Sequence, residues 1–196
     1  MKKRLTKREK EINEEVKSLS FSYIFLYVAT IILYVSLNSF TFYVFDMKFS
    51  YNIFILPFVF FLIDVILKEV GYKVGIKAIF VGLFIFILMN YLIDTIFGLD
   101  FNLYKYLGVA FTFFISNFVN LLIYNFMLYN FKTPLMLVIL TLVFSCLIYN
   151  MFYYIVTLEL NFSTFFWSSY LVVAGIETLL SCICAIVLNL VERGVD

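Results

Sequence analysis

The sequence predicts an all-α integral membrane protein with six transmembrane helices, short loops and both termini in the cytoplasm. Hydrophobic residues make up 64% of the 196 residues and charged residues only 14%, and the mean hydropathy is +1.03. A soluble domain of this size could not cover so much apolar surface with so few charges. Six apolar runs are long enough, or nearly so, to cross a hydrocarbon core of about 30 Å. Basic residues are concentrated in alternate polar segments, which predicts the orientation.

The six apolar runs define the predicted domain organisation. A helix rises about 1.5 Å per residue, so a spanning segment needs about 20 apolar residues. The predicted spans are residues 21–45, 52–67, 76–98, 106–130, 134–157 and 165–191. They form a transmembrane domain at 21–192, between a charged cytoplasmic arm at 1–20 and a cytoplasmic tail at 193–196. The second span gives only about 24 Å of helix, so it crosses comfortably only where the bilayer thins or the helix is irregular.

The placement of basic residues orients these spans. The N-terminal stretch "MKKRLTKREKEINEEVK" carries seven Lys or Arg residues. If both termini are cytoplasmic, twelve basic residues of the chain lie inside and two outside, as the positive-inside rule requires. We interpret the arm as a determinant of orientation that contacts anionic lipid headgroups, and not as a cleavable signal, because no A-x-A site follows it. The predicted location is a plasma membrane of the bacterial type.

Several classes of function lack the residues they need. The chain has no histidine, which removes the commonest general base and the commonest zinc ligand. Its cysteines, Cys146, Cys182 and Cys184, lie in apolar runs without the spacing of a metal site or a disulfide framework. A net charge of +1 gives no electrostatic basis for binding nucleic acid. We therefore expect no enzyme activity, no metal site and no cofactor.

Three acidic residues lie inside the predicted spans. A charge at the centre of a bilayer costs about 2.5–3.5 kcal/mol on insertion scales, so such residues face the interior, stay protonated or have a function. Asp94 lies near the outer end of its span and could reach headgroup water. Asp64 lies near the inner end of the second span, where Lys68 at i+4 could pair with it. Glu177 lies near the middle of the sixth span with no such partner, and is therefore the strongest functional candidate of the three.

Other polar residues recur at helical spacing on four spans. These stripes are Asn90 and Asp94; Asn117, Asn120 and Tyr124; Tyr149, Asn150 and Tyr153; and Tyr170, Glu177, Ser181 and Cys184. Hydrogen bonds between helices would explain any single stripe. Four stripes together with three acids favour an internal polar cavity. Amide, carboxyl and aromatic groups without a cation suit a small, flat, polar heterocycle and suit a phosphate poorly.

Pro57 allows two interpretations. It could break the second span and leave free backbone polar groups near a substrate, as in many transporters. It could equally stand in the first turn of a short helix, where its missing N–H costs nothing.

The segment "ILPFVFFLIDVILKEVGYKVGIKA" at residues 55–78 resembles the signature of the vitamin-uptake family, also called queuosine precursor transporters. In that signature a Pro followed by aromatics precedes an Asp by seven residues and a Gly by fourteen, and a basic helix start follows. The matching positions are Pro57, Phe58, Phe60, Asp64, Gly71, Lys73 and Lys77. Asn38 stands where the family has an Asn at the end of its first span. The similarity extends over nearly the whole chain.

The chain departs from the family pattern in its later spans. In "FTFFISNFVNLLIYNF", which is similar to the fourth-span motif, Ser116 is kept, but Asn117 replaces Gln and Asn120 replaces Asp. The fifth-span polarity is reduced to Tyr149 and Asn150. In the sixth span, where the family often carries a Lys, this chain has Val172 and the acid Glu177.

The resemblance implies six helices, cytoplasmic termini and uptake of a nucleobase-like precursor such as 7-cyano-7-deazaguanine, or of a vitamin. Together with the polar stripes, it predicts a set of substrate-binding residues. They are Asn38, Phe58, Asp64, Asn117, Asn120, Tyr124, Asn150 and Glu177. Asp64 and Glu177 are also candidates for binding a coupling proton.

Two alternatives to an importer remain at this point. The first is the substrate-binding subunit of an energy-coupling-factor transporter, which would dock onto a membrane partner. The first span contains Ala29 but no small-xxx-small pattern, which argues against this alternative. The second is a structural protein of an envelope complex, similar to MreD. The predicted partners are the lipid bilayer, a small heterocyclic substrate, and a second copy of the chain or another membrane subunit.

Overall fold

A computed structural model of the chain describes residues 7–44, 47–98, 103–130, 134–157 and 164–193. Six helices, a two-stranded antiparallel hairpin and one 3-10 turn make up the described part. In chain order these are α1 (Lys7–Leu37), β1 (Thr41–Val44), β2 (Met47–Ser50), the 3-10 turn (Tyr51–Phe54), α2 (Leu56–Glu69), α3 (Tyr72–Phe97), α4 (Leu103–Asn130), α5 (Pro134–Thr157) and α6 (Thr164–Arg193). Residues 1–6 of the predicted arm, 194–196 of the predicted tail and most of the three later loops lie outside the described residues.

The prediction of six apolar helices is confirmed. The segments long and apolar enough to cross a membrane are Lys17–Leu37, Tyr51–Glu69, Tyr72–Phe97, Tyr106–Asn130, Leu135–Val156 and Ser169–Val187. Each of the six predicted spans overlaps one of these segments. The chain is therefore a multi-pass membrane protein, while its orientation and the identity of the membrane stay predictions.

The first span ends earlier than predicted, and a short strand pair follows it in the otherwise helical fold. The predicted span runs to residue 45, but α1 ends at Leu37, and Thr41–Val44 pairs with Met47–Ser50 as antiparallel strands, with Thr41 opposite Ser50. The backbone N–H of Asn38 bonds to the Val35 carbonyl at 3.1 Å, in the tight turn that ends the helix. β-branched and aromatic residues beyond Asn38 favour extended structure. Hydropathy alone does not distinguish this short strand from one more helical turn.

The short α2 lies at the centre of the bundle. It contacts all five other helices, and the segment Tyr51–Glu69 is 61% buried, the largest share among the six. Its fourteen residues span about 21 Å, and the preceding 3-10 turn adds about 8 Å, which together approach the thickness of the hydrocarbon core. The 3-10 turn before α2 thus brings the second span close to the length that is needed to cross the membrane. A helix surrounded by helices can carry polar side chains that never meet lipid.

Pro57 and Gly71 mark the two ends of α2. Pro57 stands in the first turn of α2, as the second interpretation of this residue predicted, and only Ile55 separates that helix from the 3-10 turn. Gly71 follows α2 with φ 100° and ψ 168° and forms the N-cap of α3. This backbone region is accessible almost only to glycine. The glycine therefore allows two helices to be joined through Val70 and Gly71 alone.

Candidate functional site

Asp64 lies in a hydrogen-bond network that connects three helices. Its Oδ1 accepts from the Asn120 amide at 2.7 Å, and its Oδ2 lies 3.2 Å from the Thr141 hydroxyl, which can donate to it. Ser145 donates to Asn120 Oδ1 at 2.8 Å. All four side chains are fully buried. We call Asp64, Asn120, Thr141 and Ser145 the Asp64 network; it joins α2 to α4 and α5 through neutral donors, while Lys68 is exposed.

A second contact joins α1 to α4. The Tyr27 hydroxyl donates to Asn117 Oδ1 at 2.9 Å, and the Asn117 amide donates to the Phe113 carbonyl at 2.8 Å. Both side chains are fully buried. Tyr27 packs so closely on Gly82 of α3 that a Cβ there would lie 2.5 Å from the tyrosine ring. A glycine on α3 thus allows the α1–α4 hydrogen bond to form.

Glu177 is buried between α5 and α6 and is 1% exposed. Its Oε2 accepts from the Asn150 amide, whereas its Oε1 has no hydrogen-bond partner among the described residues. Ser181, one turn along α6, donates to the Glu177 backbone carbonyl at 2.7 Å. Glu177 is therefore a buried and incompletely paired acid.

Tyr34 and Tyr149 line a cavity of about 400 Å³. The cavity lies among the ends of α1, α3 and α5, the start of α4 and the 3-10 turn, all on the side of the bundle opposite the N-terminus. Its polar lining residues are Asn38, Ser39, Asn52, Asn90 and Asp94. Its aromatic lining residues are Tyr34, Phe86, Tyr106, Tyr149 and Tyr153. We call this space the polar cavity.

The aromatic side of the polar cavity is held by ring contacts and one hydroxyl pair. The Tyr34 hydroxyl donates to the Tyr149 hydroxyl at 2.8 Å, with the two rings edge to face at 6.1 Å. Tyr149 stacks on Tyr153 at 5.7 Å, and Tyr34 stacks on Phe86 at 6.3 Å. These contacts fix the rings of three helices relative to one another.

The polar side of the cavity combines side-chain amides with one carboxyl group. Asn52 donates to Asn38 Oδ1 at 3.0 Å, and Asn90 donates to the Phe86 carbonyl at 2.8 Å. Each of the two donating amides keeps its own oxygen as an acceptor and its second N–H as a donor. The Tyr106 hydroxyl donates to Asp94 Oδ2. A planar ligand with N–H groups could therefore stack on the tyrosines and bond to these oxygens.

The predicted binding residues fall into three places. Asn38 lines the polar cavity. The buried residues Asp64, Asn117, Asn120, Asn150 and Glu177 take part in hydrogen bonds between or within helices, and Tyr124 is also buried. Phe58 is 37% exposed. Their role in substrate binding stays a prediction.

Several lining residues are absent from the predicted set of binding residues. Tyr34 stands one turn before Asn38 on α1, and Phe86 stands one turn before Asn90 on α3, so helical spacing from the asparagines points to both. The sequence marks the stripe of Asn90 and Asp94, but the position of Asp94 near the end of its span suggests contact with headgroup water. Asn52 lines the cavity because the hairpin before it turns the chain back towards the end of α1. The sequence does not reveal this hairpin.

The described helices and the polar cavity define a multi-pass membrane protein with a pocket inside its bundle. No protein-family model, no curated protein and no solved structure matches the chain. Within the described residues, no group of three or more His, Cys, Asp or Glu side chains is placed to hold a metal ion.

Proposed function

We propose that this chain is a transporter that takes up a small, flat, polar molecule through the polar cavity. The observation that carries the proposal is the cavity itself. Its volume of about 400 Å³ lies within the range of about 300–1,000 Å³ of small-molecule sites. Its lining combines rings for stacking with amide and carboxyl oxygens for hydrogen bonds. With the N-terminus in the cytoplasm, the cavity faces the outside, where an importer meets its substrate.

The class of substrate follows from this lining and from the resemblance of residues 57–71 to the vitamin-uptake family. Both favour a nucleobase-like heterocycle, such as a queuosine precursor, or a ring-containing vitamin. The ring would lie against Tyr149 and Tyr153, and its N–H groups would bond to the oxygens of Asn52 and Asn90. An anion such as a phosphate would meet the carboxyl group of Asp94 and bind poorly.

Glu177 is the candidate for a coupling proton. Its unpartnered Oε1 and its hydrogen bond to Asn150, which directly follows the cavity-lining Tyr149, support a role in which proton uptake and substrate binding affect each other. Asp64 is the second candidate, but both of its oxygens have hydrogen-bond donors within reach.

Thermal stability of the purified protein tests ligand binding directly. A ligand at 100 times its dissociation constant adds about 2.7 kcal/mol to the free energy of unfolding. The panel consists of purines, deazapurines and vitamins, each added to protein in detergent. We expect at least one heterocycle to raise the melting temperature, and Asn90→Ala to abolish that shift.

Asn130→Ala is the matched control for Asn90→Ala. Asn130 donates to the carbonyl four residues before it at 2.7 Å, as Asn90 does at 2.8 Å, but it is exposed at the opposite end of α4. The control variant should keep the ligand shift. A panel without any shift, or a shift that Asn90→Ala leaves intact, contradicts the proposed site. Copurification of a second membrane subunit with ATPases would identify the chain as a binding subunit in place of a complete importer.

A further inference from the structure

We infer that the polar cavity selects an organic cation: a ligand with a protonated amine attached to a planar, apolar body. This inference rests on the proposed function, because it specifies the ligand of the same cavity. It goes further in assigning the ligand a positive charge, which neither the stripes of polar residues nor the volume of the cavity requires.

The first observation is the sign of the charge. Among the described residues that line the cavity, Asp94 is the single charged side chain. The Tyr106 hydroxyl occupies one lone pair of its Oδ2, and a carboxylate has acceptor sites on both oxygens. Asp94 can therefore accept a further hydrogen bond from a ligand. An ammonium donor would make a charge-assisted bond there, stronger than one from a neutral N–H.

The second observation is the density of aromatic rings. Five rings line a cavity of about 400 Å³. Tyr34, Tyr149 and Phe86 hold one another by stacking and edge contacts. The face of an aromatic ring attracts a cation within about 6 Å of its centre, and tyrosine is among the better rings for this. Aromatic cages bind organic ammonium ions, and a carboxylate beside the rings adds a charge-assisted hydrogen bond.

The third observation concerns the hydrogen bonds that the side-chain amides in the cavity wall make within the protein. Asn90 and Asn52 each donate an N–H to the protein, to the Phe86 carbonyl and to Asn38 Oδ1. Their side-chain oxygens remain as acceptors, and each amide also keeps its second N–H as a donor. The amides can therefore orient a polar ligand of either kind, and the preference for donors comes from Asp94, whose carboxylate only accepts. A carboxylate or phosphate ligand would face the charge of Asp94.

A charge series on one ring scaffold tests the inference. Benzylamine, benzyl alcohol and benzoate have similar size but carry charges of +1, 0 and −1 at pH 7. Their dissociation constants are measured by equilibrium dialysis with the purified full-length protein in detergent, with protein-free micelles as the blank. We expect benzylamine to bind at least about tenfold more tightly than benzyl alcohol, since hydrogen bonds to charged groups contribute about 1.5–3 kcal/mol. Benzoate should bind most weakly.

Two variants test whether the preference for benzylamine over benzyl alcohol comes from Asp94. Asp94→Asn should reduce the ratio between benzylamine and benzyl alcohol to about one. Glu69→Gln removes a carboxylate from the exposed end of α2 and should leave the ratio unchanged. If Asp94→Asn does not fold, the wild-type ratio is measured at rising salt concentration, where an electrostatic preference at a partly exposed carboxylate declines.

Equal binding of the three probes, or a preference for benzoate, overturns the inference. If benzylamine fails to bind while a neutral heterocycle binds in an Asn90-dependent way, the proposed function stands and the charge preference fails. If neither the heterocycle panel nor the charge series binds, both proposals fail.

Discussion

The side-chain amide of Asn120 donates a 2.7 Å hydrogen bond to Asp64 Oδ1 and thereby joins α4 to α2 inside the bundle. The same amide lies 3.2 Å from the Phe60 carbonyl, and its oxygen accepts from Ser145. One asparagine thus connects three helices around a fully buried acid. The arrangement gives Asp64 a neutral partner where an unpaired carboxyl group would be costly.

Removing this asparagine should destabilise the fold. Asn120→Ala leaves Asp64, Ser145 and the Phe60 carbonyl short of a partner, and an unsatisfied buried polar group costs about 1–3 kcal/mol. We expect a clear drop in melting temperature in detergent. Thr141→Val removes one hydroxyl contact and should cost less, about 0.6 kcal/mol, the average for a hydrogen bond between membrane helices. Equal stability of Asn120→Ala and wild type would show that the Asp64 network does not hold the helices together.

The contact of Gly82 with Tyr27 predicts a second stability difference. A Cβ at Gly82 would lie 2.5 Å from the Tyr27 ring and 2.7 Å from Ile31 Cδ1, so Gly82→Ala should destabilise by about 1–3 kcal/mol through overpacking. Gly175 on α6 is the matched control, because a Cβ there meets no atom within 4 Å. Gly175→Ala should be neutral or stabilise by up to about 1 kcal/mol, as expected in a helix interior. Thermal unfolding of both variants checks the prediction, which is wrong if they behave alike.

Gly71 and Gly98, the two glycines with positive φ among the described residues, should respond differently to asparagine. Gly98 has φ 64° and ψ 31°, a left-handed conformation that asparagine tolerates, so Gly98→Asn should be nearly neutral. Gly71 has φ 100° and ψ 168°, and Gly71→Asn should cost about 1–3 kcal/mol from backbone strain. At both positions a Cβ would meet no described atom within 4 Å, so side-chain crowding does not confuse the comparison. The melting temperatures of the pair are the measurement, and the reverse order would contradict the assigned backbone geometry.

Replacing Glu177 should affect proton coupling without affecting ligand binding. Glu177→Gln retains an oxygen that can accept from Asn150, so we expect a folded protein that still binds its ligand. It cannot release a proton, so uptake into proteoliposomes should lose its response to a pH gradient. Ligand shift and gradient-driven uptake are measured on the same preparation. A variant that responds to the gradient as the wild type does would exclude Glu177 as the coupling group.

The orientation is open to a labelling test. Tyr43 of the hairpin and Lys73 at the start of α3 are both exposed and lie on opposite sides of the bundle. With a cytoplasmic N-terminus, Tyr43→Cys should react with a membrane-impermeant maleimide in intact cells. Lys73→Cys should react only after the cells are permeabilised. The parent protein measures the background from its own cysteines, two of which are buried. The opposite pattern would invert the predicted topology and place the polar cavity on the cytoplasmic side.

Composition and hydropathy by themselves determined the class of this protein and the number of its helices. They do so because a long apolar segment must satisfy its backbone hydrogen bonds internally when it enters lipid. Helical spacing also placed Asn90 with Asp94, and Tyr149 with Tyr153, on common faces. The sequence also placed an apolar span at residues 52–67, which overlaps α2, but it left the role of Pro57 open.

Only the tertiary structure decided which polar residues pair inside the bundle and which line the cavity. Asn120 and Asn90 are each part of a polar stripe, yet Asn120 bonds to a neighbouring helix while Asn90 faces the polar cavity. The difference depends on which helices meet at each depth, and local spacing carries no information about distant neighbours. The hairpin that precedes Asn52, which bonds to Asn38, was hidden for a related reason, because the aromatic and β-branched residues after Asn38 are compatible with either helix or strand in a membrane segment. The site is therefore a product of packing, whereas the membrane fold is a product of composition.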